Sequence, residues 1–429
     1  MQNEWSTIDS IRITSQDWRI VPLQEFSSSD KNSFVNGPFG SDLLSSELVD
    51  EGHPVIYIRD IKDGRYQRKS EVCVTSEKHH ALPACHVDYG DVVIAKVGDP
   101  PCEAAVYNAN ESGVVTQDVI RIKTVELGLS QFLVFLLNSD IGKRQVKKIK
   151  IAGTRERVSL TDFKKLKFPF PPVSEQKKIA KILSTWDKAI TNTEQLLANS
   201  QQQKMALMQQ LLTGKKRLLD SNGVRFSGEW ITIPLEKICH INPKRPPEPK
   251  DGLVSFIPME FVSEDAKLLS TSERFYTEVS KGFTSFLDGD TLIAKITPCF
   301  ENGKGCYVQG MKNGIGFGST EFHVLRANKL SSPLYLYYMT NTSEFRIKGE
   351  ANMQGSAGQK RVTTDYLKSL KVTVPKQVEE QQKIAAVLST ADQEISTLQQ
   401  KLAALKQEKK ALMQQLLTGK RRVKVEAAA

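Results

Sequence analysis

Through two long stretches of the chain, apolar positions recur at alternating steps of three and four. In the later stretch they are Leu388, Ala391, Ile395, Leu398, Leu402, Leu405, Lys409, Leu412 and Leu416. In the earlier one they are Leu183, Trp186, Ile190, Thr193, Leu197, Ser200, Lys204, Leu207 and Leu211, with a more polar middle. This spacing is the a/d seam of a coiled coil. The stretches are copies. One runs from Glu175-Gln176 to Leu211-Leu212-Thr213-Gly214-Lys215, the other from Glu380-Gln381 to Leu416-Leu417-Thr418-Gly419-Lys420, so each position is shifted by 205 (Glu175 to Glu380). A helix of roughly 40 residues is about 60 Å long at 1.5 Å per residue. Gly214 and Gly419 are placed as the left-handed residues that end each helix, with cations on its negative end. One such helix could serve in the core of any bundle. Two matching seams in one chain predict that they pair with each other.

Between the rods the pattern is that of mixed α/β units with many short strands. Trp18–Leu23 opens the first unit and Trp230–Leu235 the second, each a short strand ended by Pro. Tyr89-Gly90-Asp91 feeds the β-rich run Val92–Lys96, and Asp288-Gly289-Asp290 feeds Thr291–Lys295. Further strands are expected over Val114–Ile122 and Gly316–Arg326, then one helix over Ser130–Lys150 and one over Ser332–Lys348. A glycine-containing loop follows each helix, and each unit leaves through a Pro-containing segment, 167–172 or 371–375, which separates it from its rod. The expected division is 1–172, rod 173–217, 218–375, rod 376–422 and a tail, 423–429. The units share a skeleton, but 30–69 finds no good match in 242–278. Loops carry recognition, so one frame with different loops suits one task on two targets.

Composition narrows the task. The 429 residues carry a net charge of +10, and the pI is about 9.1, which favours a polyanionic partner. The six cysteines are scattered, without Cys-x-x-Cys or a preceding signal peptide, so a reduced, intracellular chain is expected. No apolar run is long enough to span a bilayer. No catalytic constellation is expected. Asp91 with Lys96, and Asp290 with Lys295, lack the further ligand of a metal-dependent nuclease and read as a turn Asp and a strand-end Lys. Asn36-Gly37-Pro38-Phe39 only approaches an amino-methyltransferase motif and reads as a turn. His79, His80, Cys85 and His86 fit no standard zinc spacing.

Basic residues do cluster. Lys143, Lys147 and Lys150 would share one helix face, followed by Arg155 and Arg157. Arg346, Lys348, Gln359, Lys360 and Arg361 occupy corresponding places in the second unit. Lys62, Arg65 and Arg68 lie in the variable part of the first unit, and Lys96, Lys295 and Lys304 lie at or after the central strands. A solvated helix face explains some of these. Arg157 and Arg361, each ending a glycine-containing loop, favour DNA, because such an arginine suits guanine readout.

The paired pattern resembles the specificity (S) subunit of type I restriction–modification enzymes. The marks are the duplicated Glu-Gln-x-x-Ile-Ala helix starts, the Leu-Leu-Thr-Gly-Lys ends, Gly37-Pro38-Phe39-Gly40-Ser41, the Gly-Asp-x-x-Ile-Ala-Lys strands, and Arg225-Phe226-Ser227-Gly228-Glu229-Trp230. The likeness covers nearly the whole chain. It implies an α+β protein with a pseudo-twofold internal repeat, in which two target recognition domains are separated by two long helices forming an antiparallel coiled coil. Each domain would read one half of a bipartite, asymmetric site on double-stranded DNA. The coil would set the gap between the halves and dock two methyltransferase (M) subunits, with restriction (R) subunits joining them in the cytoplasm. The chain would bind no cofactor and hold no active site. S-adenosylmethionine is expected on the methyltransferases, ATP and magnesium on the restriction subunits. Base-contacting residues do not transfer, because recognition domains diverge. A stand-alone nuclease or methyltransferase, and a coiled-coil scaffold without a DNA role, are the alternatives. The terminal Glu426-Ala427-Ala428-Ala429 matches no family feature.

Overall fold

The computed structural model describes residues 6–8, 11–13, 17–38, 40–98, 101–150, 156–356 and 358–425. Both rods are continuous α-helices of 39 residues, Val173–Leu211 and Val378–Leu416. They end where the glycines allow the backbone to turn: Gly214 has φ +72° and Gly419 +70°. The chain divides into two compact units, residues 1–194 with 400–429, and residues 195–399. Each unit therefore contains one mixed α/β domain, the start of one rod and the end of the other.

Within the first unit, Ile179, Ala180 and Leu183 share one core with Leu416 and Leu417. Polar pairs fix the direction. Glu175 meets Arg422, Asp187 meets Lys409, and Glu194 meets Lys406. Numbers rise along one helix as they fall along the other, so the pairing is antiparallel. The second unit repeats it. Leu211 and Leu212 share a core with Ile384, Ala385 and Leu388, while Lys204 meets Asp392 and Ser200 meets Glu394. Every predicted seam leucine, isoleucine and tryptophan is covered. Leu183, Ile190, Leu211, Leu388, Ile395 and Leu416 are buried. Trp186, Leu197, Leu207, Leu398, Leu402, Leu405 and Leu412 are half-buried.

The Glu-Gln doublet that opens each rod is a joint. The Arg422 guanidinium binds the Glu175 carboxylate in two places, at 2.5 and 3.0 Å, and Arg217 binds Glu380 at 2.5 and 2.7 Å. Both carboxylates are buried. Arg422 is Arg217 shifted by the same 205 positions, so the joint is part of the repeat. The adjacent glutamines donate to carbonyls just before the helix, Gln176 to Pro171 at 2.8 Å and Gln381 to Pro375 at 2.9 Å. These bonds turn the exit strand into the rod.

The two α/β domains share three ladders. In the first, Glu103–Val106, Val92–Ala95, Val119–Ile122 and Phe34–Asn36 lie side by side, all antiparallel. Gly305–Tyr307, Thr291–Ala294, Phe322–Ala327 and Cys239–Ile241 repeat that order. A second sheet carries a parallel pair in both domains, His53–Ile56 with Gly113–Val115 and Leu253–Ile257 with Ile315–Gly318. A third ladder joins the entry strand to the exit strand, Arg19–Pro22 to Lys167–Phe170 and Trp230–Pro234 to Lys371–Pro375. Segments 30–69 and 242–278 share the strand of the parallel pair, but among the described residues the hairpin ladder of Ile61–Lys62 with Arg65–Tyr66 has no counterpart ladder in the second domain, as their expected mismatch implies.

The two long domain helices expected from sequence are each broken. Leu127–Asn138 is followed by Asp140–Lys147, and Pro333–Thr340 by Ser343–Glu350. Ser139 and Thr342 cap the second helices by accepting the Gly142 and Phe345 amides. A hydroxyl that captures those N–H groups starts a new helix instead of continuing the old one.

Leu183 and Leu388 are repeat-equivalent and fully buried. Leu183→Ala and Leu388→Ala are each expected to cost about 2–5 kcal/mol in denaturant unfolding, and half-buried Leu405→Ala clearly less. Equal losses at all three positions would contradict the burial pattern.

Candidate nucleic-acid interface

The central strand of each domain is anchored by a buried acid at its start. Asp91 accepts the Asp88 amide at 3.0 Å and lies 3.9 Å from the buried Arg121 on the neighbouring strand. Burial raises the Asp91 carboxyl above its ordinary value, against the pull of Arg121. In the second domain Arg326 grips Asp290 in two places, at 2.8 and 2.7 Å. These acids tie strands together and have no open side for a metal. Among the described residues no cluster of His, Cys, Asp and Glu could hold a metal ion.

At the other end of each central strand, segments that carry basic residues lie side by side. In the first domain a bridge joins Val97 to Arg157, and the Gly98 amide donates to the Glu156 carbonyl. In the second, a bridge joins Ile296 to Arg361, and the Thr297 amide donates to the Lys360 carbonyl. The backbone thus sets Lys96 next to the Val97–Arg157 bridge, and Lys295 next to the Ile296–Arg361 bridge. Arg157, Gln359 and Lys360 are exposed. The second-domain loop is closed by two backbone bonds between Gln354 and Arg361, of 2.9 and 2.8 Å. Arg361 itself is engaged. It donates to both Glu321 carboxylate oxygens at 2.9–3.3 Å and to the Gln359 carbonyl at 3.0 Å. The hydrogen bond from Arg361 holds the Glu321 carboxyl below its usual range. The latch is therefore complete above that range and is lost only as pH falls through the lowered value. Glu321 gave no sequence signal, since it lies in the turn before a strand.

The other expected contacts divide by what they touch. Lys62, Lys143 and Lys147 are exposed. Lys143 and Lys147 share the helix Asp140–Lys147, but Lys150 lies beyond it and pairs with Glu156, so the expected three-residue stripe is reduced to two. Arg65 turns to the rod, donating to Thr191 at 2.9 Å beside Glu194 at 3.6 Å. Arg68 donates to the Ser70 carbonyl and the Cys73 sulfur. Arg346 holds the loop after the central strand through the carbonyls of Phe300 and Gly303. Lys304 donates to the Met259 carbonyl at 3.4 Å, and Lys348 pairs with Glu344. Arg155 and the tail 426–429 lie outside the described residues.

Three of the four histidines of the first domain stack. His79 lies between His53 and His86, with ring centres 3.9 and 3.7 Å away. Face-to-face rings do not converge their nitrogens on one ion. His79 is buried, and burial, then the two neighbouring rings, lowers its pKa to about 4.

Comparison with known proteins adds the following. The family described as "Type I restriction modification DNA specificity domain" matches residues 60–199 and 228–407. The type I restriction enzyme EcoAI specificity subunit of Escherichia coli is 39% identical over 173 residues, 38% of this chain and 28% of that protein. The EcoEI specificity subunit from the same organism is 40% identical over 165 residues, 38% of this chain and 27% of that protein. This chain thus aligns with little more than a quarter of either protein. The putative type I restriction enzyme MjaX specificity subunit of Methanocaldococcus jannaschii is 23% identical over 421 residues, 95% of each chain. A crystal structure of a type I restriction–modification S subunit from M. genitalium superposes with a TM-score of 0.55 at 13% identity, covering 97% of both chains. At that identity the likeness is one of fold.

Two outcomes are expected. Arg361→Ala and Glu321→Gln should weaken binding to the specific DNA site by a similar factor, about tenfold, because both unlatch one loop; Lys360→Ala should weaken specific and non-specific binding alike. If Arg361 reads a base unaided, titrations with Glu321→Gln will match the unaltered chain. For His79, the folded pKa lies below the ordinary 6.5, so its stabilising contribution is whole above about 6.5 and is lost as pH falls toward about 4. Thermal unfolding should therefore be less acid-sensitive in His79→Phe, and an unchanged acid profile would exclude His79 as the cause.

Proposed function

Since the chain belongs to the type I restriction modification DNA specificity domain family, we propose that it is the DNA sequence-specificity subunit of a type I restriction–modification complex. One observation carries this reading. The same three-ladder frame occurs twice, on repeat-equivalent joints of an antiparallel rod pair, with different groups exposed at equivalent places. A frame duplicated for stability alone would have no reason to vary its exposed loops.

Each recognition domain reads one half of a bipartite, asymmetric site. Exposed Lys62, Lys143, Lys147, Arg157 and Lys360 meet phosphates or base edges, and Gln359 has the donor and acceptor that adenine presents in reverse. Lys96 and Lys295 add charge beside the loops. The rods set the gap and dock two methyltransferase subunits, which bring S-adenosylmethionine; restriction subunits bring ATP and magnesium. The chain contributes no catalytic group. Among the described residues no helix is long and apolar enough to cross a membrane, which suits assembly on cytoplasmic DNA.

If five exposed cations each meet a phosphate, log affinity should fall against log salt with a slope of about −4 to −5. A nearly flat slope in fluorescence anisotropy would favour a scaffold without a DNA role, and methylation or cleavage by the purified chain alone would favour an enzyme.

A further inference from the structure

At two repeat-equivalent places a coil seam meets a recognition-domain helix through a lysine and an aspartate. In the second unit, Lys204 of the first rod donates to Asp392 of the second at 2.5 Å. The Tyr338 hydroxyl, on Pro333–Thr340, donates to the other Asp392 oxygen at 2.7 Å, and Lys204 Nζ lies 5.8 Å from the Tyr338 ring centre. In the first unit, Lys409 donates to Asp187 at 2.5 Å and lies 5.1 Å from the Phe135 ring centre, on Leu127–Asn138. A shift of 205 converts Lys204 to Lys409 and Asp187 to Asp392. Each cluster therefore joins three elements, both rods and one domain helix.

These lysines occupy seam positions where an apolar side chain would pack better. Their side chains are only 21% and 19% exposed. A polar residue at such a position reduces stability and specifies register, because any slipped pairing strands a charge. Sliding one rod by a helical turn moves it about 5.4 Å, enough to separate lysine from aspartate and from the ring.

We propose that the two Lys–Asp–aromatic junctions determine the gap between the half-sites. They fix the register of the rods and the seating of each domain helix on the coil, so the gap depends on these pairs and not on rod length alone. This rests on the function proposed above. The junctions are unequal. Phe135 has no hydroxyl, so Asp187 lacks the second donor that Tyr338 gives Asp392. The first-domain junction therefore carries one hydrogen bond fewer.

The test uses the full chain expressed with its methyltransferase subunits, with methylated bases mapped across the host genome. The double variant Asp187→Leu/Lys409→Met removes the polar pair and keeps an apolar seam. It should remain folded, since buried pairs are commonly replaced by packed apolar residues without loss. Methylation at sites whose gap differs by one base pair from the native one should rise about tenfold. The exchange variant Asp187→Lys/Lys409→Asp keeps a pair and should keep a single gap. An apolar variant that marks only the native gap, or an exchange variant with a broadened gap, overturns the proposal. Should the apolar variant fail to fold, Tyr338→Phe, which removes one hydroxyl, decides: off-gap methylation about twofold above the unaltered complex supports the junction role, and an unchanged ratio overturns it. An unaltered complex that marks no bipartite site refutes the functional reading itself.

Discussion

A lysine held in a coiled-coil seam must find a carboxylate in one place only. In this protein Lys204 finds Asp392 and Lys409 finds Asp187, and those contacts dictate antiparallel rods in a single register. The apolar seam supplies most of the attraction, but leucines tolerate slippage by a heptad. The charged pairs do not, because breaking a largely buried pair by removing one partner costs about 3–5 kcal/mol. Everything built on the rods inherits that register, from the Glu-Arg joints at their ends to the domain helices seated on their sides.

The joints explain why the most repetitive letters of the sequence are polar. Glu175 and Glu380 are buried carboxylates, each gripped by an arginine that follows the end of the other rod. Gln176 and Gln381 donate to the Pro171 and Pro375 carbonyls just before each helix start. These residues carry no reaction. They convert a flexible domain-to-helix connection into a fixed one, which the proposed reading of two separated DNA segments requires.

The rods were almost fully legible in the sequence, because period and duplication are local properties: every expected seam leucine, isoleucine and tryptophan is covered, and Gly214 and Gly419 adopt the left-handed conformation. The domain frame was legible in part. Short strands such as Cys73–Val74 hold too few residues to show a period, and the match between His53–Ile56 and Leu253–Ile257 is one of topology, invisible to residue-by-residue comparison. Single hydroxyls at Ser139 and Thr342 split helices that apolar content alone would run together. For the interface, the sequence identified basic clusters but not their partners. Arg65, Arg346 and Arg361 are spent on a rod, a loop and a glutamate that lie far off in the chain, whereas Lys62, Lys143, Lys147 and Lys360 remain at the surface.

Selection of bound duplexes from a random-sequence library by the chain assembled with the proposed methyltransferase subunits tests the central claim most directly. Two unrelated half-sites separated by an unread gap of constant length are the result that one frame with two sets of loops on a locked coil predicts. Enrichment of one contiguous motif, of a palindrome, or of half-sites at freely varying gaps would contradict it.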